Sequence, residues 1–201
     1  MDPVDTGAGE GGGPLGSMRR QLGRPVVLAA AVLAAAAAAV LLMGSGGGSD
    51  GQAAVGGLFY PETLPGGYSV EKVVAGDEAL AMVKGIHWEP GMVRAERALI
   101  VVYSDGTRLW IVDTGGDACG LVARMAEKMR MYQDRLPYTA PVEHSIGGTT
   151  VYMSLDKRDG RLHVFWCRGS LAAWAELGAS AYTGQGAALE VLSALIQGVH
   201  A

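Results

Sequence analysis

The stretch ALIVVYSDGTRLWIVD, residues 98–113, decides the fold. Ala98 to Tyr103 is a nearly continuous apolar run of strand length, Thr107 to Asp113 is a second, and Asp105-Gly106 between them is a strong type I′ turn signal. The two runs are therefore expected to pair as an antiparallel hairpin, with no room for the helical crossover that a parallel pair requires.

Upstream, Tyr68 to Val74 alternates well enough for a strand, and Asp77 is placed to cap a short helix through Lys84 that Gly85 ends. His87-Trp88-Glu89-Pro90-Gly91 reads as a turn. Downstream, Asp117 follows Gly115-Gly116 and should cap an amphipathic helix to about Tyr132, with Leu121, Val122, Met125, Met129 and Tyr132 on one stripe. Four strands are then expected in a meander: Val142 to Ile146, Thr149 to Leu155, Arg161 to Arg168 and Leu171 to Leu177, divided by Gly147-Gly148, by Asp156 to Gly160 and by Gly169-Ser170. After the break at Gly178 to Gly186, Ala187 to Val199 carries helical periodicity with Leu189, Leu192, Leu195 and Ile196 inward. Strands followed by a helix, twice, predict an α+β domain over residues 58–201, an antiparallel sheet with helices packed on one face.

Ahead of that domain the composition changes. Val26 to Met43 is eighteen residues without a polar side chain, and as a helix it rises about 27 Å, close to the hydrocarbon thickness of a bilayer. Pro25 suits the first helical position, and Gly44-Ser45-Gly46 ends the run. Arg19, Arg20 and Arg24 stand before it, and the first charges after it are Asp50 and Glu62, so the N-terminal side is expected in the cytoplasm and the C-terminal domain outside. A retained signal anchor and a cleaved signal peptide both fit this stretch; the length of the apolar run favours the anchor. Residues 1–25 read as a disordered cytoplasmic tail and residues 44–57 as a flexible Gly/Ser linker. Translation from Met18 is an alternative to a functional acidic tail.

The chain carries a formal net charge of −4, which gives it no electrostatic draw towards nucleic acid. It contains no asparagine and hence no N-x-[ST] acceptor. The Leu64-Pro65-Gly66-Gly67-Tyr68 entry, with the hairpin, helix and meander that follow, resembles single-anchor extracytoplasmic α+β domain proteins of archaea and bacteria. The resemblance implies a location and no activity.

The two cysteines, Cys119 at the start of the amphipathic helix and Cys167 on a strand, read as a disulfide in an oxidising compartment. Two buried thiols and a redox pair are the alternatives. His87, His144, His163 and His200 lack metal-ligand spacing, and Met125 and Met129 fall on the apolar stripe, so no metal and no cofactor is expected. No G-x-S-x-G, no Cys-His pair in a glycine-framed turn and no close pair of carboxylates appears, so no catalytic residue is assigned. Trp166 and Trp174 read as core or as an aromatic face. The expected ligand surface is Trp174, Tyr182 and Gln185, between an uncovered sheet face and the 178–186 loop.

These readings lead to a membrane-anchored extracytoplasmic domain with a binding or scaffolding role, touching the membrane through Val26 to Met43 and meeting an envelope protein partner. The alternatives are an outward-facing enzyme or metal or redox carrier built on His, Met or the Cys pair, and a secreted domain released by signal peptidase.

Overall fold

The computed structural model describes residues 51–86, 94–179 and 187–201. The anchor stretch Val26 to Met43, the His87 to Gly91 turn, and Tyr182 and Gln185 lie outside the described residues. Among the described residues no helix is long and apolar enough to cross a membrane.

The hairpin of residues 98–113 forms the middle of one eight-stranded antiparallel sheet. In chain order the strands are β1 (Gln52–Val55), β2 (Leu58–Pro61), β3 (Thr63–Leu64), β4 (Tyr68–Ala75), β5 (Arg97–Tyr103), β6 (Arg108–Asp113), β7 (Val142–Ile146), β8 (Thr149–Leu155), β9 (Leu162–Arg168) and β10 (Leu171–Glu176). The helices are α1 (Gly76–Ile86), α2 (Ala118–Met131) and α3 (Ala187–Gly198). The large sheet runs β3-β4-β5-β6-β10-β9-β8-β7, and β1 pairs with β2 apart from it. The C-terminal meander therefore returns β10 to the side of β6, with Trp174 opposite Trp110 and Glu176 opposite Arg108. This pairing joins the two halves of the chain into one sheet.

The β5–β6 turn departs from the type I′ expectation. Gly106 has φ +83°, but no non-glycine residue among those described has a positive φ, so Asp105 does not adopt the left-handed conformation that type I′ demands. Instead the Gly106 amide donates to the Tyr103 carbonyl, and the Asp105 carboxylate accepts from the Thr107 amide and hydroxyl, each at 2.8 Å. The Asp side chain satisfies the backbone locally, and only glycine carries the left-handed residue. Gly178 packs on this turn: its amide donates to Thr107 Oγ1 at 2.9 Å, and a Cβ there would stand 2.2 Å from the Asp105 carbonyl oxygen. Glycine is needed at 178 for that close approach.

Helices cover both faces of the sheet, which corrects the expectation of one. On the first face α1 lies over β4 and β5, and α2 over β9 and β10. Val74, Ile100, Trp110 and Val112 meet Ala79 and Val83 there, while Phe165 meets Val122 and Met129. The other face, expected to be uncovered, holds the main core: Leu99, Val101 and Ile111 from the sheet, with Val191, Leu192 and Leu195 of α3. Strand alternation is the reason. The buried residues of β5 and β6 occupy consecutive positions, so both sides of these central strands carry apolar groups, and one layer of helices cannot bury them. The two tryptophans of the meander divide accordingly. Trp166 is fully buried in the α3-side core, and Trp174 faces the α1/α2 side.

The linker reading also shortens. Gln52–Val55 form β1, and the β1–β2 hairpin docks at the end of α3, where Phe59 stacks on His200 at 4.3 Å and donates its amide to the His200 carbonyl. Tyr103 fastens this hairpin to the sheet through its hydroxyl, which donates to the Pro61 carbonyl at 2.8 Å.

Candidate functional site

The α1/α2 face carries a half-open cleft of about 410 Å³ at the end of the sheet where β6 and β9 begin and β10 ends. Strand register builds its floor. Arg108 and Trp110 of β6, Trp174 and Glu176 of β10, and His163 of β9 all point to this one side. Its wall comes from two connections: Tyr138, on the loop that follows α2, and the Asp156 to Arg161 turn between β8 and β9. The connections are held together. Tyr138 bridges to Asp156, the Thr139 amide donates to the Leu155 carbonyl, and Ser154 donates to the Thr139 carbonyl at 2.7 Å.

The disulfide Cys119–Cys167, with its Cα atoms 5.1 Å apart, ties the start of α2 to β9 on the same face of the sheet. Cys167 is four residues from His163 on the same side of β9. The bond therefore pins the helix that leads to Tyr138 onto the strand that carries His163. Asp117 caps α2 as expected, its carboxylate accepting from the Gly120 amide at 2.7 Å.

The rings of the floor form a connected set. Trp110 and Trp174 stack at 4.8 Å, Phe165 and Trp174 lie 5.3 Å apart, and Tyr138 meets His163 edge-on at 5.0 Å. Neighbouring strands are spaced about 4.8 Å apart, so indoles stacked across them stand up from the sheet and face one another. Trp174 Nε1 donates to His163 Nδ1 at 3.0 Å, which leaves Nε2 to carry the imidazole proton in the neutral ring. Burial lowers the pKa of His163; Glu176, Asp156 and Asp159 oppose that shift, and Arg158 adds to it.

Comparison with protein-family models, with curated proteins and with solved structures finds no match. What the cleft does is therefore read from its own chemistry.

Charged groups rim the cleft in pairs. Arg158 Nε lies 2.9 and 3.1 Å from the two oxygens of Asp156, and the Arg158 amide adds a bond to the same carboxylate at 2.8 Å. These bonds hold the nearly buried Asp156 below the ordinary carboxylate range, with burial opposing them. Arg161 binds Glu176 and also reaches Asp159 at 3.2 Å. Burial raises the pKa of Tyr138, helped by Asp156, so its hydroxyl stays protonated at neutral pH. A set of this kind offers hydrogen-bonding and charged groups beside an aromatic floor, a more polar lining than the mostly apolar one usual for small-molecule sites.

Of the expected ligand surface, Trp174 lies in this cleft; Tyr182 and Gln185 belong to the part of the chain outside the described residues. The sequence reading missed Arg108, Tyr138, Asp156, Glu176 and His163 as members of a site. Only the β6–β10 pairing brings Arg108 to Glu176, and no local pattern encodes a pairing across 68 residues. The alternation within β9 did place His163 on the face of Cys167. No group of three or more potential metal ligands occurs among the described residues.

Proposed function

We propose that this chain is a single-pass membrane protein whose α+β domain stands outside the cytoplasm and binds a small ligand or an envelope partner through the cleft on the α1/α2 face. The disulfide, on the same face of the sheet as the cleft, carries this reading. Cys119–Cys167 ties α2 to β9, the strand that carries His163, and such bonds persist in oxidising compartments. The apolar run Val26 to Met43, with its arginines ahead of it, supports a membrane tether with the domain on the oxidising side. With both cysteines bonded, neither is a free thiol for nucleophilic or metal chemistry.

A native mass spectrum of the protein, extracted in mild detergent from the membranes of its own host, tests the proposal. The expected species is a chain that retains residues 26–43 and is two hydrogens lighter than its fully reduced mass. Recovery of a chain shortened near Gly44 from the medium, or a fully reduced mass, overturns it.

A further inference from the structure

We infer that the cleft takes a small organic carboxylate, with the carboxylate seated on the Arg108 guanidinium. This rests on the binding role proposed above and names the chemistry of the ligand.

The carboxylates of the cleft are already engaged. Asp156 is bound by Arg158, and both Glu176 and Asp159 are bound by Arg161. Arg108 differs from the other two arginines. Its ion pair to Glu176 is 3.8 Å long, beyond hydrogen-bond reach, and its side chain is 50% exposed. The guanidinium has five N–H donors in a planar fork that matches a carboxylate. Two further donors line the same cleft: the Tyr138 hydroxyl, and His163 Nε2–H in the tautomer that Trp174 imposes.

The account of donors and acceptors is thus unequal. Acceptors are committed to arginines, while donors remain, so a complementary ligand brings acceptors. The three carboxylates are already paired with arginines, so the open position is the Arg108 fork, and the group that matches it is a single carboxylate on an organic body that lies against Trp110, Trp174 and Tyr138.

The test uses the full chain in detergent micelles, labelled with ¹⁵N at tryptophan, with the Trp110 and Trp174 indole signals assigned from Trp→Phe variants. Two matched pairs of probes are titrated, benzoate against benzamide and glucuronate against glucose. At least one acid is expected to shift both indole signals and to bind ten-fold or more tightly than its neutral partner. Arg108→Gln is expected to remove that preference, and Arg108→Lys, which keeps the charge without the fork, to keep part of it. Arg108 is half exposed at the start of its strand, so both variants are expected to keep the fold, checked by an unchanged indole signal of Trp166 on the opposite face of the sheet. Neutral probes that bind as well as their acids overturn the inference while leaving a binding cleft in place. Absence of any shift with all four probes, or an acid preference that survives Arg108→Gln, also overturns it. The native mass spectrum judges the anchored domain separately.

Discussion

Trp174 Nε1 donates to Nδ1 of His163 at 3.0 Å, across the β9–β10 pair and on the floor of the cleft. This bond sets which imidazole nitrogen carries the proton in the neutral ring and turns a buried histidine into a directed donor.

Replacing Trp174 by Phe removes the donor and leaves His163 Nδ1 without it. A stability loss of about 1–3 kcal/mol is expected, since a buried polar atom is left unpaired. The ¹⁵N signals of His163 should move towards a mixture of tautomers. Chemical denaturation and imidazole ¹⁵N spectra check both effects, and unchanged His163 signals would show that the bond does not set the tautomer.

His163 also predicts a pH dependence. Its pKa in the folded protein lies below the ordinary 6.5, so just below that value the unfolded chain binds a proton that the native ring does not. Stability is thus fully present above about pH 6.5 and falls as the pH drops towards the folded pKa. Denaturation midpoints from pH 7.5 to pH 5 should decline, and His163→Gln should flatten the decline. The carboxylates Asp113 and Asp156, both held low in the folded state, add their own loss only at more acidic pH.

Reduction of Cys119–Cys167, or the double change to serine, should cost about 4 kcal/mol for a loop of this length in the chain-entropy model. The loss should also be felt at the cleft. With α2 no longer tied to β9, amide exchange in the Tyr138 to Thr139 segment should quicken relative to β5 and β6. Equal changes throughout the domain would mean that the bond contributes to stability alone.

Much of the fold is legible in the sequence because its signals are local. Thr149 to Leu155 and Val142 to Ile146 are bounded by Gly147-Gly148, and the strands occur at those residues. Asp117 caps α2, as a capping residue beside a glycine pair should. What stayed hidden is non-local. The second helical layer follows from consecutive buried residues in β5 and β6, whose faces can be assigned only once their neighbours are known. The Asp105 turn differs from the type I′ expectation because its side-chain bonds to Thr107 compete with that geometry. Cys119 and Cys167 were legible as a pair by their count. The cleft on the same face was not legible, because it exists only after β6 meets β10.

The central claim is a disulfide-stapled domain held outside the cytoplasm, and thiol labelling of the full chain in intact host cells tests it most directly. Cys119 and Cys167 are the only cysteines, so a membrane-impermeant maleimide reports on this bond alone. The account predicts no labelling of untreated cells under denaturing quench, and two labels per chain when a reductant precedes the reagent. Labelling that requires cell lysis, or that proceeds without reductant, would contradict it.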